Sequence, residues 1–165
     1  MTATLHQSRL DSPIGELTLI ASEVGLRRIS WPHEDVAERD DAEFDDAHPV
    51  LVAAAEQLGE YFAGDRHEFD LPLDLVGTDF QREAWLALAN VPYGETTSYG
   101  EQAQRIGRPG ASRAVGAANG KNPVPIVLPC HRIVGADGSL TGFAGGLDLK
   151  QKLLAHEQAQ QSLGI

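Results

Sequence analysis

The sequence predicts a mixed α/β (α+β) protein of two parts: a small N-terminal domain of sheet and helix over residues 1–76, and a mostly helical domain over residues 77–165. Three observations support this prediction. Apolar residues alternate with polar ones early in the chain, as in half-buried strands. Apolar residues then recur at helical spacing around residue 55 and through most of the second part. The pattern changes at Gly77.

The first domain begins with predicted β structure over residues 4–31. After a turn, Leu17, Leu19 and Ala21 occupy alternate positions and would share one face of a strand. The next segment, residues 34–46, holds eight acidic residues and one Arg, so we expect a solvated, mobile surface loop.

Apolar side chains recur at helical spacing over the following segment, and a glycine ends it. The residues concerned are Leu51, Ala54, Ala55, Leu58, Phe62 and Gly64. We therefore predict a helix there, followed by a short strand over residues 67–77 that leads to the domain boundary.

The second domain is predicted to hold several short helices, each with a recognisable start. Thr78 and Gln81 have capping-box spacing, and Ser98 and Glu101 repeat it. We expect Ser112 to cap a further helix, built largely of small residues. A terminal helix should follow, with these residues on adjacent turns: Leu149, Leu153, His156 and Glu157.

Two of these predicted helices, residues 98–106 and 112–121, are joined by the turn GRPGA and have the dimensions of a helix-turn-helix unit. The second consists mainly of Ala and Gly and carries Arg113 as a long side chain near its start. A helix of small residues suits tight packing in a core. It equally suits close approach to a DNA groove into which one Arg reaches.

Charge is distributed unevenly along the chain, whose formal net charge is −11. Residues 1–76 hold 5 basic and 17 acidic residues, whereas residues 77–165 hold 8 and 7. Residues 102–136 contain five basic residues and no acidic one. Such a segment can present a basic face to nucleic acid even in an acidic protein, although chance composition would give the same pattern.

The single cysteine, Cys130, follows Pro129 at the end of an apolar run. A lone cysteine is more often a buried apolar residue than a nucleophile. Here the adjacent His131 and Arg132 would favour the nucleophilic thiolate over the thiol. For His131 to act as its base, the chain must turn at Cys130, or a water must link the two side chains, because neighbouring strand residues point to opposite faces. Glu157 is the candidate to orient His131, although a solvated helix residue would fit its position as well.

The composition also bears on metals and cellular location. One cysteine allows neither an internal disulfide nor a multi-thiolate zinc site, so we expect no bound metal. No apolar run approaches the about 20 residues of a membrane helix, and the first residues lack the features of a signal peptide. We therefore expect a cytoplasmic protein with no membrane partner, since a reactive thiol survives best in a reducing medium.

An ordered set of motifs resembles the O6-alkylguanine-DNA alkyltransferase family. The motifs are SRAVGAANGKNPVPIVLPCHRIVG at 112–135 and GSLTGFAGGLDLKQKLLAHE at 138–157, with weaker support from DSPIGELTL near the start. The resemblance covers residues 77–160. It implies a ribonuclease-H-like fold for the first domain and direct-reversal DNA repair by the second. The protein's own cysteine would take the alkyl group from O6-alkylguanine once per molecule, with O4-alkylthymine left open as a second substrate.

The resemblance also implies roles for individual residues. Cys130 would accept the alkyl group, His131 would deprotonate it through a water, and Glu157 would orient His131. Asn122 would hold the turn that carries the site, and Tyr99 would donate a proton or hydrogen bond to the flipped guanine. Main-chain groups of three residues would read the edge of the base: Cys130, Ile133 and Ala144. Ala144 stands where some relatives carry Ser.

For DNA, the resemblance implies binding in the minor groove of a duplex that carries alkylated guanine. Arg113 would enter the duplex and occupy the space that the extruded base leaves. The other candidate contacts to DNA are Gly100, Arg108, Ser112, Ala114, Gly116 and Ala117. No cofactor and no obligatory protein partner are implied, so a monomer is expected.

Three other interpretations compete with alkyl transfer. A non-catalytic protein that binds alkylated DNA would have replaced the cysteine, which is present here. A helix-turn-helix regulator would need base-reading side chains, and residues 112–121 offer few. A cysteine hydrolase would need an oxyanion hole and would turn over repeatedly.

Overall fold

The computed structural model describes residues 4–34, 41–140, 143 and 145–163. The chain divides into two compact units, residues 1–76 and 77–165. The first contains a sheet and one described helix, and the second contains four described helices with a two-stranded β pair. The protein is therefore a mixed α and β structure with the helices concentrated in the second unit. Among its described helices, none is both long enough and apolar enough to cross a lipid bilayer.

The sheet of the first unit has four strands in the order β3-β2-β1-β4. Its strands are β1 His6–Ser12, β2 Gly15–Ala21, β3 Leu26–Ser30 and β4 Glu43–Phe44. The first three are antiparallel neighbours, and β4 pairs parallel with β1. Gly15 has a φ of 108°, which allows the tight turn between β1 and β2. Strand β2 is buried from Leu17 onward and packs against helix α1, Pro49–Phe62.

Three predictions for this unit are corrected by the structure. Glu43 and Phe44 of the acidic segment form an edge strand rather than a loop, while residues 35–40 lie outside the described residues. Tyr61, which the helical spacing did not single out, is the fully buried aromatic residue of α1, whereas Phe62 is half-buried. Residues 67–77 form no strand and pair with the sheet only through an isolated bridge from Leu73 to Leu26.

The second unit begins with helix α2, Asp79–Ala87, which continues into a 3-10 turn at Leu88–Asn90. The capping box predicted at its start is present, because Thr78 Oγ1 accepts from the Gln81 backbone and Gln81 Oε1 accepts from the Thr78 backbone. The later elements are β5 Thr97–Ser98, α3 Tyr99–Arg105, α4 Ser112–Asn119, a 3-10 turn at Cys130–Arg132, β6 Ile133–Val134 and α5 Leu147–Leu163.

Helices α3 and α4 form the predicted helix pair, and they pack against α2 through a buried amide network. Gln102 Nε2 donates to the Ala84 carbonyl (3.0 Å) and to Asn119 Oδ1 (3.0 Å), and Asn119 Nδ2 donates back to Gln102 Oε1 (2.8 Å). Trp85 Nε1 donates to the Ala118 carbonyl at 2.7 Å. These bonds fix the mutual position of the three helices.

The predicted cap of α4 is wrong by one residue. Ala111 is the N-cap and Ser112 is the first helical residue, and Ser112 makes no capping hydrogen bond. The turn from α3 into α4 contains Gly107 and Gly110, both at positive φ (74° and 89°), which explains why the short GRPGA segment can reverse the chain there.

A short parallel pairing links the start of α3 to the segment that follows the cysteine. Thr97 of β5 pairs with Ile133 of β6, and Ser98 pairs with Val134. Ser98 is also the N-cap of α3, where its Oγ accepts from the Glu101 backbone at 3.1 Å. Consequently the first residue of α3, Tyr99, and the turn of Cys130 are held by the same two-stranded unit.

Candidate active site and DNA-binding surface

The loop before the cysteine is held by one asparagine side chain. Asn122 Nδ2 donates to the Leu128 carbonyl (2.7 Å), and Asn122 Oδ1 accepts from the Val124 backbone (3.0 Å). Between these points Ile126 has a φ of 73°, a left-handed conformation that costs a β-branched residue of order 1–3 kcal/mol. The loop therefore keeps a strained shape because Asn122 and its neighbours hold it in place.

The chain turns at Cys130, as the sequence analysis required for a Cys–His site. Cys130 is only 7% exposed, and burial raises the pKa of its thiol to about 11. A hydrogen bond from Asn122 and the charge of Lys150 oppose this shift. The prediction that the neighbouring His131 and Arg132 favour the thiolate is thus wrong for the resting protein, because desolvation outweighs the charges around the sulfur.

His131 and Glu157 meet in the interior of the second unit. Glu157 lies on α5, and its Oε2 is 2.6 Å from His131 Nε2, with both side chains fully buried. Burial lowers the pKa of His131, although the hydrogen bond and charge of Glu157 act in the opposite direction. His131 is therefore neutral near pH 7, with its Nε2 proton donated to the carboxylate. Its Nδ1 is buried and has no hydrogen-bond partner among the described residues.

Arg132 completes the charge balance around Glu157. Its Nε and Nη2 donate to the two carboxylate oxygens at 2.9 and 3.0 Å, and Nη1 donates to the Val91 carbonyl at 2.7 Å. The Gly94 backbone N–H donates to Glu157 Oε1 at 3.1 Å. Although burial opposes ionisation, the bonds from His131 and Arg132 hold the pKa of Glu157 well below its ordinary value. Arg132 and His131 therefore share the negative charge of this one carboxylate.

The cation that interacts with Cys130 is one that the sequence analysis missed. Lys150 lies in the first turns of α5, is fully buried, and is electrostatically coupled to Cys130. Desolvation lowers the pKa of Lys150, while Cys130 raises it. The sequence held a signal for the position of Lys150, because the spacing of Lys150, Leu153 and Glu157 places all three on one face of a helix. Arg132 was favoured only because it is a sequence neighbour of the cysteine.

Two of the residues expected to contact the base, Tyr99 and Ile133, lie at the β5–β6 pair. Tyr99 is half-buried at the start of α3, and Ile133 is buried in β6, whose neighbour β5 leads directly into Tyr99. Ala144 lies outside the described residues. The pairing of β5 with β6 thus fixes the position of Tyr99, which follows β5, relative to Ile133, which follows the Cys130 turn.

The candidate DNA contacts lie mainly on α4 and the turn before it. Arg113, Ala114 and Ala117 are exposed on α4, Ser112 and Gly116 are partly buried, and Gly100 is exposed on α3. A groove of about 260 Å³ runs beside α4, lined by Thr78, Phe80, Gln81, Ala114, Ala117, Ala118 and Lys121. The exposed face of α4 therefore consists of small side chains, with the long, charged side chain of Arg113 at the start of the helix.

Arg108 differs from the other DNA candidates because protein groups already engage its guanidinium. The group lies 5.5 Å from the centre of the Phe80 ring, and its Nε is 3.4 Å from Glu83 Oε2. Phe80 itself is half-buried at the start of α2. Within the described part of the chain, no cluster of three or more His, Cys, Asp or Glu residues could hold a metal ion.

Fold and site together define a class of protein: a helix-turn-helix unit is followed by a turn that holds a buried cysteine, with a His–Glu pair next to it in the chain. Residues 79–159 match the family model described as 6-O-methylguanine DNA methyltransferase, DNA binding domain. Residues 5–75 match the model for the ribonuclease-like domain of the same proteins. The chain belongs to the O6-methylguanine-DNA methyltransferase family.

Curated relatives and solved structures agree with this assignment. The chain is 52% identical over 152 residues to the methylated-DNA--protein-cysteine methyltransferase of Mycolicibacterium paratuberculosis, covering 90% of each chain. It is 45% identical to the protein of that name from Methanosarcina barkeri, covering 93% of this chain and 98% of the relative. It is similar to the crystal structure of Mycobacterium tuberculosis O6-methylguanine methyltransferase (TM-score 0.88, 47% identity, 95% and 94% covered). It also resembles that organism's OGT in complex with DNA (TM-score 0.85, 48% identity, 94% of each chain).

Proposed function

We propose that this protein repairs DNA directly, by transferring the alkyl group of O6-alkylguanine to Sγ of its own Cys130. The observation that carries the proposal is the turn that holds Cys130 and His131, with His131 hydrogen bonded to the buried Glu157 of α5. Membership of the methyltransferase family favours this activity over a non-catalytic DNA-binding or regulatory role.

The chemical step is a displacement at the alkyl carbon. The Cys130 sulfur forms the new S–C bond while the C–O6 bond of guanine breaks, and the guanine ring takes the electron pair and then a proton. The thiol must first lose its own proton, because the thiolate is the nucleophile. With a resting pKa of about 11, Cys130 is a protonated thiol near neutral pH, so a base has to act as the substrate arrives.

His131 is the base in this proposal, acting through a water. Its Nε2 proton is committed to the ionised Glu157, which leaves the lone pair of Nδ1 as the accepting site. Glu157 orients the ring and stabilises the imidazolium as it forms. Asn122 acts by holding the loop and by hydrogen bonding to Cys130, which favours the thiolate.

Residues at the β5–β6 pair would recognise the guanine base. Tyr99 would donate a hydrogen bond or a proton to the flipped guanine as negative charge develops on the ring. The backbones of Cys130, Ile133 and Ala144 would bind the polar edge of the base. O4-alkylthymine would present a comparable ring, and the proposal leaves that substrate open.

DNA would bind through α4 in the minor groove of the duplex. The small residues Ala114, Gly116 and Ala117 allow the helix backbone to approach the DNA closely. Arg113 is exposed, unlike the buried Arg132, so its side chain can reach into the groove. Ser112, Gly100 and Arg108 would contact the backbone of the DNA nearby. Because in-line attack is blocked in stacked DNA, the base must leave the helix, which costs a few kcal/mol and less for a damaged base.

The product defines the stoichiometry. Alkylation of Cys130 gives a thioether, which has no easy hydrolysis, so each molecule would act once and need no cofactor. We further propose that the protein works as a monomer in the cytoplasm, where a reducing medium keeps its thiol free.

The decisive experiment is stoichiometric alkyl transfer from duplex DNA containing O6-methylguanine. Intact mass and peptide mapping should show the gain of one methyl group on Cys130, and no second transfer by the same molecule. Cys130→Ser is the control and should gain nothing. A wild-type protein that behaves like Cys130→Ser would overturn the proposal.

A second experiment tests the role of Arg113 in DNA. Arg113→Ala should slow repair of duplex DNA far more than reaction with free O6-benzylguanine, because the free base needs no extrusion. Lys121→Ala, an exposed position just beyond the end of α4, is a matched loss of one cation. Equal losses of Arg113→Ala on both substrates would show that Arg113 does not act through the duplex.

A further inference from the structure

The aromatic ring of Tyr99 lies against α4 at Gly116, a contact that the proposed reaction has not yet used. A Cβ atom at position 116 would be 3.6 Å from both Cδ1 and Cε1 of the Tyr99 ring, which is an ordinary van der Waals distance. Among the described residues outside α4, no other atom would lie within 4 Å of that Cβ. A side chain at position 116 would therefore meet the Tyr99 ring first.

The same two helices are joined by hydrogen bonds one turn further along. Gln102 follows Tyr99 by three residues, and Asn119 follows Gly116 by three. The side chains of Gln102 and Asn119 exchange two buried hydrogen bonds of 3.0 and 2.8 Å. Because residues three apart share a helical face, the two pairs are successive contacts across one helix interface. The amide pair therefore fixes the distance between α3 and α4 at the point where the ring rests.

The backbone of Tyr99 is held from the other side. Ser98, the residue before it, pairs with Val134 in the β5–β6 unit, so the remaining freedom of Tyr99 is in its side chain. Arg113, the residue proposed to enter the duplex, precedes Gly116 by three residues on α4 and is exposed. One helix thus carries both Arg113 and the surface on which the Tyr99 ring rests.

We propose that Gly116 is a positioning residue for base recognition: because it lacks a side chain, the Tyr99 ring can rest on α4, which sets where the Tyr99 hydroxyl meets the extruded base. This role rests on the functions proposed above for Tyr99 and Cys130. Gly116 acts through Tyr99 in addition to allowing α4 to approach DNA. A side chain larger than alanine at position 116 would displace the ring, since the ring already stands at contact distance from Cβ.

The experiment separates this role from a DNA contact by using a substrate without a duplex. The rate at which free O6-benzylguanine transfers its benzyl group to the single cysteine is followed by intact mass for wild type, Gly116→Ala and Gly116→Val. Gly120→Val is the matched control. Gly120 is exposed at the end of α4 with a φ of −64°, and a Cβ there would approach carbonyl oxygens of its own helix at 3.5 and 3.7 Å.

Gly116→Val should react with the free base about tenfold or more slowly than wild type. The physical reason is that a displaced Tyr99 hydroxyl loses its hydrogen bond to a ring that gains negative charge. Gly120→Val should match wild type. Gly116→Ala keeps an ordinary contact with the ring, so its loss of rate should be much smaller than that of Gly116→Val. Its melting temperature should rise by about 2–4 °C, because alanine favours a helix over glycine.

A double mutant shows whether the effect acts through the ring. Tyr99→Ala removes the ring and should itself be slow. Adding Gly116→Val to Tyr99→Ala should cause no further loss, since no ring is left to displace. A further tenfold loss in that background would overturn the inference. A Gly116→Val protein that reacts with the free base as fast as Gly120→Val would also overturn it, and slow duplex repair by that protein would assign Gly116 to the DNA contact alone.

Folding and the parent function are checked separately. If thermal unfolding shows that Gly116→Val does not fold, Gly116→Ser takes its place, with a smaller loss in the same direction and the same double-mutant result excluding the inference. A wild-type protein that leaves Cys130 unmodified would overturn the acceptor function itself, and this inference with it. A wild type that reacts no faster than Gly116→Val, while Cys130 is modified in both, would overturn the inference alone.

Discussion

Glu157 is the residue whose removal should damage the second unit most. Its carboxylate accepts from His131 Nε2 (2.6 Å), Arg132 Nε (2.9 Å), Arg132 Nη2 (3.0 Å) and the Gly94 backbone (3.1 Å), all away from bulk water. Glu157→Ala would leave Arg132 as a buried cation, 6% exposed, without its carboxylate. Breaking a buried ion pair in this way costs about 3–5 kcal/mol in the free energy of unfolding.

For a chain of this length, each kcal/mol lowers the melting temperature by about 2–4 °C, so the loss for Glu157→Ala is about 6–20 °C. Fluorescence can isolate the second unit, because the protein has two tryptophans and Trp85 belongs to that unit. Urea unfolding would therefore be followed in a Trp31→Phe background. Gln158→Ala, at the exposed next position of α5, should change stability by less than about 0.5 kcal/mol.

A double mutant tests the physical reason for the loss. Arg132→Met combined with Glu157→Leu removes both charges, and it should be more stable than Glu157→Ala alone, because apolar replacement of a whole ion pair is often close to neutral. The reasoning would be refuted if Glu157→Ala lost less than about 1 kcal/mol in the same background.

Three further predictions follow from the second unit. Stability should fall as pH drops below about 6.5, because the pKa values of His131 and Glu157 lie below their ordinary values of 6.5 and 4.5, so the unfolded chain binds more protons in acid. Urea unfolding at pH 7 and pH 5 checks this, and a His131→Gln protein that kept the full dependence between these two pH values would contradict it. Gln102→Leu leaves Asn119 buried and unsatisfied, so it should lower the free energy of unfolding by about 2 kcal/mol, against little change for the exposed Gln104→Leu. Thr78→Ala removes half of a capping box and should cost about 1 kcal/mol in the same assay, whereas Thr78→Ser should keep most of the stability.

Local signals in the sequence predicted much of the second unit. The capping box of Thr78 and Gln81 was recognisable because a helix start depends on residues a few positions apart. Helical spacing also placed Leu153 and Glu157 on one face, and Glu157 does meet His131. In the first unit, alternation predicted β structure where β1, β2 and β3 lie.

The errors arose where contacts distant in sequence decide the outcome. The strand Glu43–Phe44 forms because it pairs with the edge of β1, although the composition of this segment is that of a loop. The thiol pKa depends on how deeply the fold buries Cys130, which local charge cannot reveal. Arg132 is close to Cys130 in sequence, but its guanidinium hydrogen bonds to Glu157 and to the Val91 carbonyl. Lys150, whose charge acts on Cys130, belongs to a separate helix.

The pairing of β5 with β6 has a consequence for how this site tolerates change. The spacing between Tyr99 and the Cys130 turn is set by main-chain bonding of Thr97 and Ser98 with Ile133 and Val134, so most side-chain replacements at these four positions leave the spacing intact. Proline is the exception, because it deletes a main-chain donor. Substitutions along this β pair should therefore be tolerated when they keep Ile133 and Val134 apolar and keep the N-cap of Ser98, whereas proline should be excluded.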